Sequence, residues 1–217
     1  MIMISFNNVC KMYSGNKVFY NAEVTINKGD FIFLTAGAGQ GKTTFLKLLS
    51  AFQAPDKGDI IVNNLNIINL NDNQISDYRK SIGIIFQKNY FIEDETVKYN
   101  ISIPLLLSNI KNKEDKVNTI LDLVNLNGFG NKIISSLSCS ERQRVAIARG
   151  IIHSPDIILA DEPTENQDEI QSEILIKMLI KLSQYGTTII LTTRHHGLAK
   201  EFKQKILSIE NEKIISL

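Results

Sequence analysis

The chain has 217 residues, enough for one sizeable core with subdomains but short of two full domains. Hydrophobic residues make up 43% and charged residues 22%, the balance of an ordinary globular protein, which argues against a disordered or fibrous chain. A net charge of +1 gives no case for nucleic acid or an acidic membrane surface as the main partner.

Residues 1–35 read as short strands, Ile2–Phe6, Val18–Ile26 and Phe31–Thr35, with turns at Ser14-Gly15-Asn16 and Lys28-Gly29-Asp30. A helix is predicted from Lys42 to about Phe52, with Phe45, Leu46, Leu48 and Leu49 on its apolar face. The stretch from Pro55 to Gly58 breaks the chain before a strand at Asp59–Val62. Asp72–Lys80 then reads as helix and Ser81–Gln87 as a buried strand. From Lys88 to about Gly150 the pattern turns mostly helical, including Lys113–Val124 with Val117, Ile120, Leu121 and Val124 on one face. Strand and helix alternate again through Pro155–Asp161, Asp168–Gln184 and Thr187–Thr192, followed by a short helix and strands at Lys205–Ile209 and Lys213–Ser216.

That alternation predicts an α/β fold built on a mainly parallel, doubly wound sheet, with the central helical stretch inserted as a subdomain. Asn63-Asn64 and Asn69–Asn73 read as codon bias toward A and T, in line with abundant Ile and Lys, and carry little functional weight. Cys10 and Cys139 lie far apart, neither in a metal-type pair, so a reducing compartment is expected. Met1–Phe6 has no basic n-region or cleavage site, so no secretory signal is expected. No apolar run approaches the roughly 18–20 residues of a spanning helix.

The chemistry begins between Thr35 and the first helix, at Ala36-Gly37-Ala38-Gly39-Gln40-Gly41-Lys42-Thr43-Thr44. A buried strand, a glycine-rich turn and a helix start aim several backbone N–H groups and a helix N-terminus at one spot, which suits a phosphate chain. Lys42 would reach the β- and γ-phosphates and the Thr43 hydroxyl would ligate Mg²⁺. The pattern G-x-x-x-x-G-K-[ST] is missed by one residue, since Ala36 stands where the first glycine belongs. Downstream, the apolar run Ile157–Ala160 ends in Asp161-Glu162. A carboxylate at that point can hold Mg²⁺ through water, and its neighbour Glu162 can polarise an attacking water as general base. Shortly before this strand, Ser138 with Glu141, or Ser140 with Gln143, forms a capping-box pattern at a helix start.

This set resembles the ATP-binding subunits of ABC transporters over nearly the whole chain. The resemblance implies one nucleotide-binding domain: an N-terminal antiparallel β part, a catalytic core of residues 1–87 and 151–217, and a helical signature subdomain at about 88–150. It implies that Tyr13 stacks on adenine, although a Tyr after a strand also fits plain surface packing. Gln87 matches the Q-loop glutamine that senses Mg²⁺ and the γ-phosphate. Leu137–Arg144 (LSCSERQR) matches the signature LSGGQ, Asp161 and Glu162 the Walker B metal acid and catalytic base, and Pro163–Asp168 the D-loop PTGNLD. ATP and Mg²⁺ follow as cofactors, bound in an ATP-dependent head-to-tail homodimer in which Ser138 and Ser140 close on the partner's nucleotide. A separate integral membrane partner is implied, docked near residues 88–107, with this chain peripheral on the cytoplasmic face. The apolar residues of that region also fit subdomain core.

Within the family, FLTAGAGQGKTTFLKLL, IGIIFQ, TVKYNISIPLLL and LADEPT look most like the cell-division ATPases of the FtsE type, whose partner is FtsX-like. Lipoprotein-release and MacB-type ATPases share much of this, and ERQRVAIAR is equally near the former. Departures fall on phosphate-handling elements. Ala36 replaces a loop glycine and would cost about 1–2 kcal/mol if that position needs positive φ. Cys139-Ser140 replaces the signature's glycine pair, Glu165 and Gln167 replace the D-loop glycine and leucine, and Arg194 aligns with the switch histidine, with His195 one residue later. Either Arg194 or, after a one-residue slip, His195 takes the switch position. Losing one transition-state donor typically costs roughly 10²–10³ in rate, so impaired turnover, or a nucleotide-responsive scaffold with little ATPase activity, is the alternative expectation.

Overall fold

The structure is a computed structural model that describes residues 1–106, 113–165 and 167–217. Leu107 of the expected docking region and Asn166 of the D-loop-like segment lie outside the described residues.

Two sheets organise the chain. The first is antiparallel in the order β2-β1-β4-β5, from β1 (Ile2–Tyr13), β2 (Asn16–Asn27), β4 (Lys57–Val62) and β5 (Leu65–Asn66). The expected strands were shorter because their alternation is interrupted: register shifts fall between Phe6 and Val9, near Asn8 at φ 51°. Its tight turns carry paired left-handed residues, Ser14 (46°) with Gly15 (84°) and Asn63 (49°) with Asn64 (63°). Type I′ hairpin loops demand that conformation and Asn tolerates it, so Asn63-Asn64 is a turn rather than a mere compositional bias.

The second sheet has six strands in the order β10-β9-β3-β8-β7-β6. These are β3 (Phe31–Thr35), β6 (Ile82–Ile85), β7 (Ile157–Ala160), β8 (Thr188–Thr193), β9 (Lys205–Glu210) and β10 (Lys213–Ser216). All neighbours are parallel except the β9–β10 hairpin. β3 is buried at every position, as a strand covered on both faces must be. Ile32 and Leu34 face the cluster that holds the antiparallel sheet and helix α1 (Lys42–Leu49), where Phe6 stacks on Phe45 at 4.8 Å. Phe31 and Phe33 face the opposite cluster, which holds the helices after residue 96, whereas Tyr78 of the helix before β6 joins the first cluster. α1 stops short of Phe52 because Ser50 caps it, its hydroxyl donating to Leu46 O at 2.8 Å, and Ala51 turns left-handed at φ 53°.

Helix α2 (Asp72–Ser81) leads into β6. The helices α3 (Val97–Leu106), α4 (Lys113–Leu123) and α5 (Cys139–Ile151) then share the second cluster through Val97, Ile101, Val117, Leu121 and Val145. α6 (Glu169–Gln184) and α7 (His196–Glu201) follow β7 and β8. β6 and α5 approach at two glycines: a Cβ on Gly83 would lie 2.3 Å from Gly150 O and 2.9 Å from Pro155 Cγ.

Candidate functional site

Parallel pairing puts the carboxyl ends of β3, β6, β7 and β8 on one edge of the sheet, so the segments after them converge. Those segments carry residues 36–44, Gln87, Asp161-Glu162 and Arg194-His195. In the loop after β3, Gly39 and Gly41 take φ of 72° and 105°, and a Cβ on Gly41 would come within 2.6 Å of Val18 Cγ1. Ala36 is not among the left-handed residues and is 4% exposed, so its methyl carries no φ penalty. Gly41 caps α1 with no side-chain bond, leaving the first amides of the helix available to an anion.

Lys42 is buried and donates from Nζ to Ala36 O at 2.8 Å and Gly37 O at 3.4 Å. Gln40 folds back over the loop, its Oε1 accepting the Gly37 N–H at 2.8 Å.

The acids are tied to this loop through hydroxyls. Thr43 Oγ1 donates to Asp161 Oδ2 at 3.0 Å, and Thr192 Oγ1 donates to Asp161 Oδ1 at 2.8 Å. The same Thr192 oxygen accepts the Glu162 N–H at 2.9 Å. A hydroxyl and a carboxylate at hydrogen-bond distance are hard oxygen donors, the set that suits Mg²⁺. Glu162 sits in the left-handed region at φ 46°, a strained conformation for a residue with a Cβ, of the order of 1–2 kcal/mol. Its carboxylate is 11% exposed and its Oε1 lies 3.7 Å from Lys42 Nζ.

Arg194 Nε donates to that same Oε1 at 2.9 Å, and its Nη1 lies 3.7 Å from Glu165 Oε1. The other oxygen of Glu165 accepts from Gln87 Nε2. Lys42, Glu162, Arg194, Glu165 and Gln87 therefore form one continuous polar network. His195 is exposed, and its backbone N–H donates to Thr193 Oγ1 at 3.0 Å. Sequence reasoning treated Glu165 and Arg194 as separate departures and missed their pairing, since nothing local joins positions 29 residues apart.

The helix start at residues 138–144 stands apart. Of its two capping patterns, Ser138 with Glu141 forms: Ser138 N donates to Glu141 Oε2 at 2.7 Å and Glu141 N to Ser138 Oγ at 3.3 Å. The Ser138 backbone N–H, then its side chain, holds the Glu141 carboxyl below the usual range. Arg142 anchors the helix outward, donating from Nη1 to Glu93 Oε2 at 2.7 Å. Ser140 Oγ lies 3.4 Å from Ser138 Oγ, and Gln167 Nε2 lies 3.8 Å from the exposed Cys139 Sγ. Among the described residues no hydrogen bond links Ser138, Ser140 or Tyr13 to residues 36–44. Tyr13, at the end of β1, bonds through its hydroxyl to Gln53 and has Lys11 Nζ 5.5 Å from its ring centre. Near the expected docking region, a cavity of about 540 Å³ opens between Arg79, Phe86, Tyr90, Ile103 and Pro104, with Tyr90 70% exposed.

A family model described as ABC transporter matches residues 19–165. The chain is 32% identical to the cell division ATP-binding protein FtsE of Mycobacterium tuberculosis, covering 99% of this chain and 95% of that protein. It is 36% identical to the lipoprotein-releasing system ATP-binding protein LolD of Buchnera aphidicola, covering 99% and 97%. Among solved structures, it is similar to the ATP-binding cassette MJ0796, a dimer in a post-hydrolysis state bound to ADP and Pi. There the TM-score is 0.88 at 27% identity, covering 98% of this chain and 96% of that one.

Proposed function

The chain belongs to the ABC transporter family, and on that premise we propose that it is the ATP-hydrolysing subunit of a membrane complex, acting as a head-to-tail dimer. One observation supports this above all: Lys42, Thr43, Asp161 and Glu162 meet at the open N-terminus of α1, with Thr43 and Asp161 bonded at 3.0 Å and Lys42 and Glu162 3.7 Å apart. In this reading Lys42 and the loop amides of residues 37–44 hold the phosphates. Thr43 and Asp161, with Gln87, would hold Mg²⁺, which when bound neutralises phosphate charge and polarises the γ-phosphoryl group. Glu162 takes the proton of the attacking water as its oxygen bonds to the γ-phosphorus; the bond to the bridging oxygen breaks and ADP leaves with that electron pair. Ser138 and Ser140 of one copy close on the nucleotide of the other, and Tyr13 supports adenine.

Residues 1–87 and 151–217 act as the catalytic core and about 88–150 as the subdomain that answers the partner. Among the described residues no helix is long and apolar enough to cross a membrane. An FtsX-like or other ABC permease therefore supplies the spanning part, docked at the cavity by Phe86, Tyr90 and Ile103, with this chain on the cytoplasmic face. Similarity to FtsE and to LolD supports a cell-division role first and lipoprotein release second. Glu162→Gln should leave binding intact and accumulate an ATP-bound dimer, read by light scattering at saturating MgATP. A chain that stays monomeric there refutes the proposal.

The Arg194 bond to Glu162 favours a second reading, a nucleotide-responsive scaffold that scarcely hydrolyses ATP. Phosphate release well above the Glu162→Gln background, measured with the membrane partner, excludes it.

A further inference from the structure

We infer that Arg194 and Glu165 work as one charge-paired unit, in which Glu165 is a positioning residue that shares the Arg194 guanidinium between Glu162 and the terminal phosphate of bound ATP. The inference rests on the ATP-site reading above. Its basis is the geometry of the network. Arg194 reaches two carboxylates from two different nitrogens, Nε to Glu162 at 2.9 Å and Nη1 to Glu165 at 3.7 Å. Glu165 is held in turn by Gln87, so its carboxylate is anchored to the segment after β6 as well as to the one after β8.

The charge balance explains why the two residues belong together. Glu162 already has Lys42 within 3.7 Å, so Arg194 alone would set two cations on one largely buried carboxylate. Glu165 restores the balance and draws part of the guanidinium away from Glu162. Arg194 is 53% exposed, and a planar fork of five donors on a long stem can exchange one carboxylate for a phosphate without leaving the other. Removing either member alone leaves an uncompensated charge beside the nucleotide; removing both does not. Two departures that each looked like damage are, on this reading, a substitution made in two parts.

The test is a double-mutant cycle on the full chain, with Arg194→His, Glu165→Gly and the combined variant. The main readout is the Kd of a fluorescent ATP analogue with Mg²⁺, which requires no turnover. Arg194→His leaves Glu165 unopposed and weakens binding; Glu165→Gly frees Arg194 for phosphate and tightens binding while kcat falls. The combined variant departs from the product of the single effects by about tenfold, within the range for residues of one charge network. Glu165→Gln, which keeps the shape and the means to bond Gln87, follows Glu165→Gly, and Glu165→Asp restores the charge and the effect. Additive single effects, or a Glu165→Gln protein that binds like the parent, overturn the inference while leaving an ATP-binding, ATP-hydrolysing parent intact. A parent that binds no MgATP overturns the underlying reading, and this inference with it.

Discussion

The edge at residues 36–44 and the helix start at residues 138–144 are both polar, yet they are built in opposite ways. The first is assembled from four strand ends, with a buried lysine, two acids and two threonine hydroxyls bonded to one another across the sheet. Its geometry is enforced by the core beneath it. The second is exposed only at its tip, Ser138 and Cys139, satisfies its own amides with Ser138 and Glu141, and is fastened outward by Arg142 and inward by the glycine contact with β6. A site completed within one chain calls for buried, cross-braced charge. Under the proposed head-to-tail dimer, the second would serve the partner's nucleotide, which calls for a helix start held in shape at the surface.

The largest effect should come from breaking the braced edge. Lys42→Ala removes the buried cation bonded to the loop carbonyls and should lower phosphate release by about 10²–10³, with the fold retained by circular dichroism. A loss under tenfold would mean that this edge does not hold the phosphates. Next comes the brace between the two regions. Gly83→Ala drives a methyl to within 2.3 Å of Gly150 O, and should cost about 1–3 kcal/mol in urea unfolding. In a thermal scan that is roughly 2–4 °C per kcal/mol. Unchanged stability would show that β6 and α5 are only loosely apposed.

Ser138→Ala tests the self-satisfied surface alone and should cost about 1 kcal/mol through the lost cap. The smallest effect is one of pH. Glu141 has its carboxyl lowered from an ordinary value of 4.5, so its contribution is present above that pH and fades as pH falls through the folded value. The stability gap between the parent and Glu141→Gln should therefore stay level above about pH 5 and close below it. A gap that widens in acid would reverse the assignment.

Much of the braced edge was legible in the sequence, because each piece is a local pattern. Phe31–Thr35 with its glycine turn, Ser81–Gln87, and Ile157–Glu162 are each marked by an apolar run that ends in glycines, a glutamine or a pair of acids. Parallel pairing then brings them together with no further information. Backbone conformation was less legible. The glycine pattern could not say that Gly39 and Gly41 are left-handed and Ala36 is not, nor that Glu162 is. Asn63-Asn64, dismissed as composition, is a hairpin turn that its φ values explain. Least legible was the Arg194–Glu165 pair, since the charge of one is compensated only by a residue on another loop. The same holds for Gly83, whose need for small size comes from the Gly150 carbonyl and Pro155, and for Gly150, which faces Ile85 and Ile84.

That last contact also has a mechanical side. Gly150 lies near one end of α5 and Ser138 caps the other, twelve residues apart, or about 18 Å at the rise of an α-helix. A pivot of α5 at this close approach to β6 would make the helix a lever with Ser138 at its tip. A tilt of about 5° there swings Ser138 by about 1.6 Å over that arm, roughly half a hydrogen-bond length. A displacement of that size is large enough to make or break a contact at the tip.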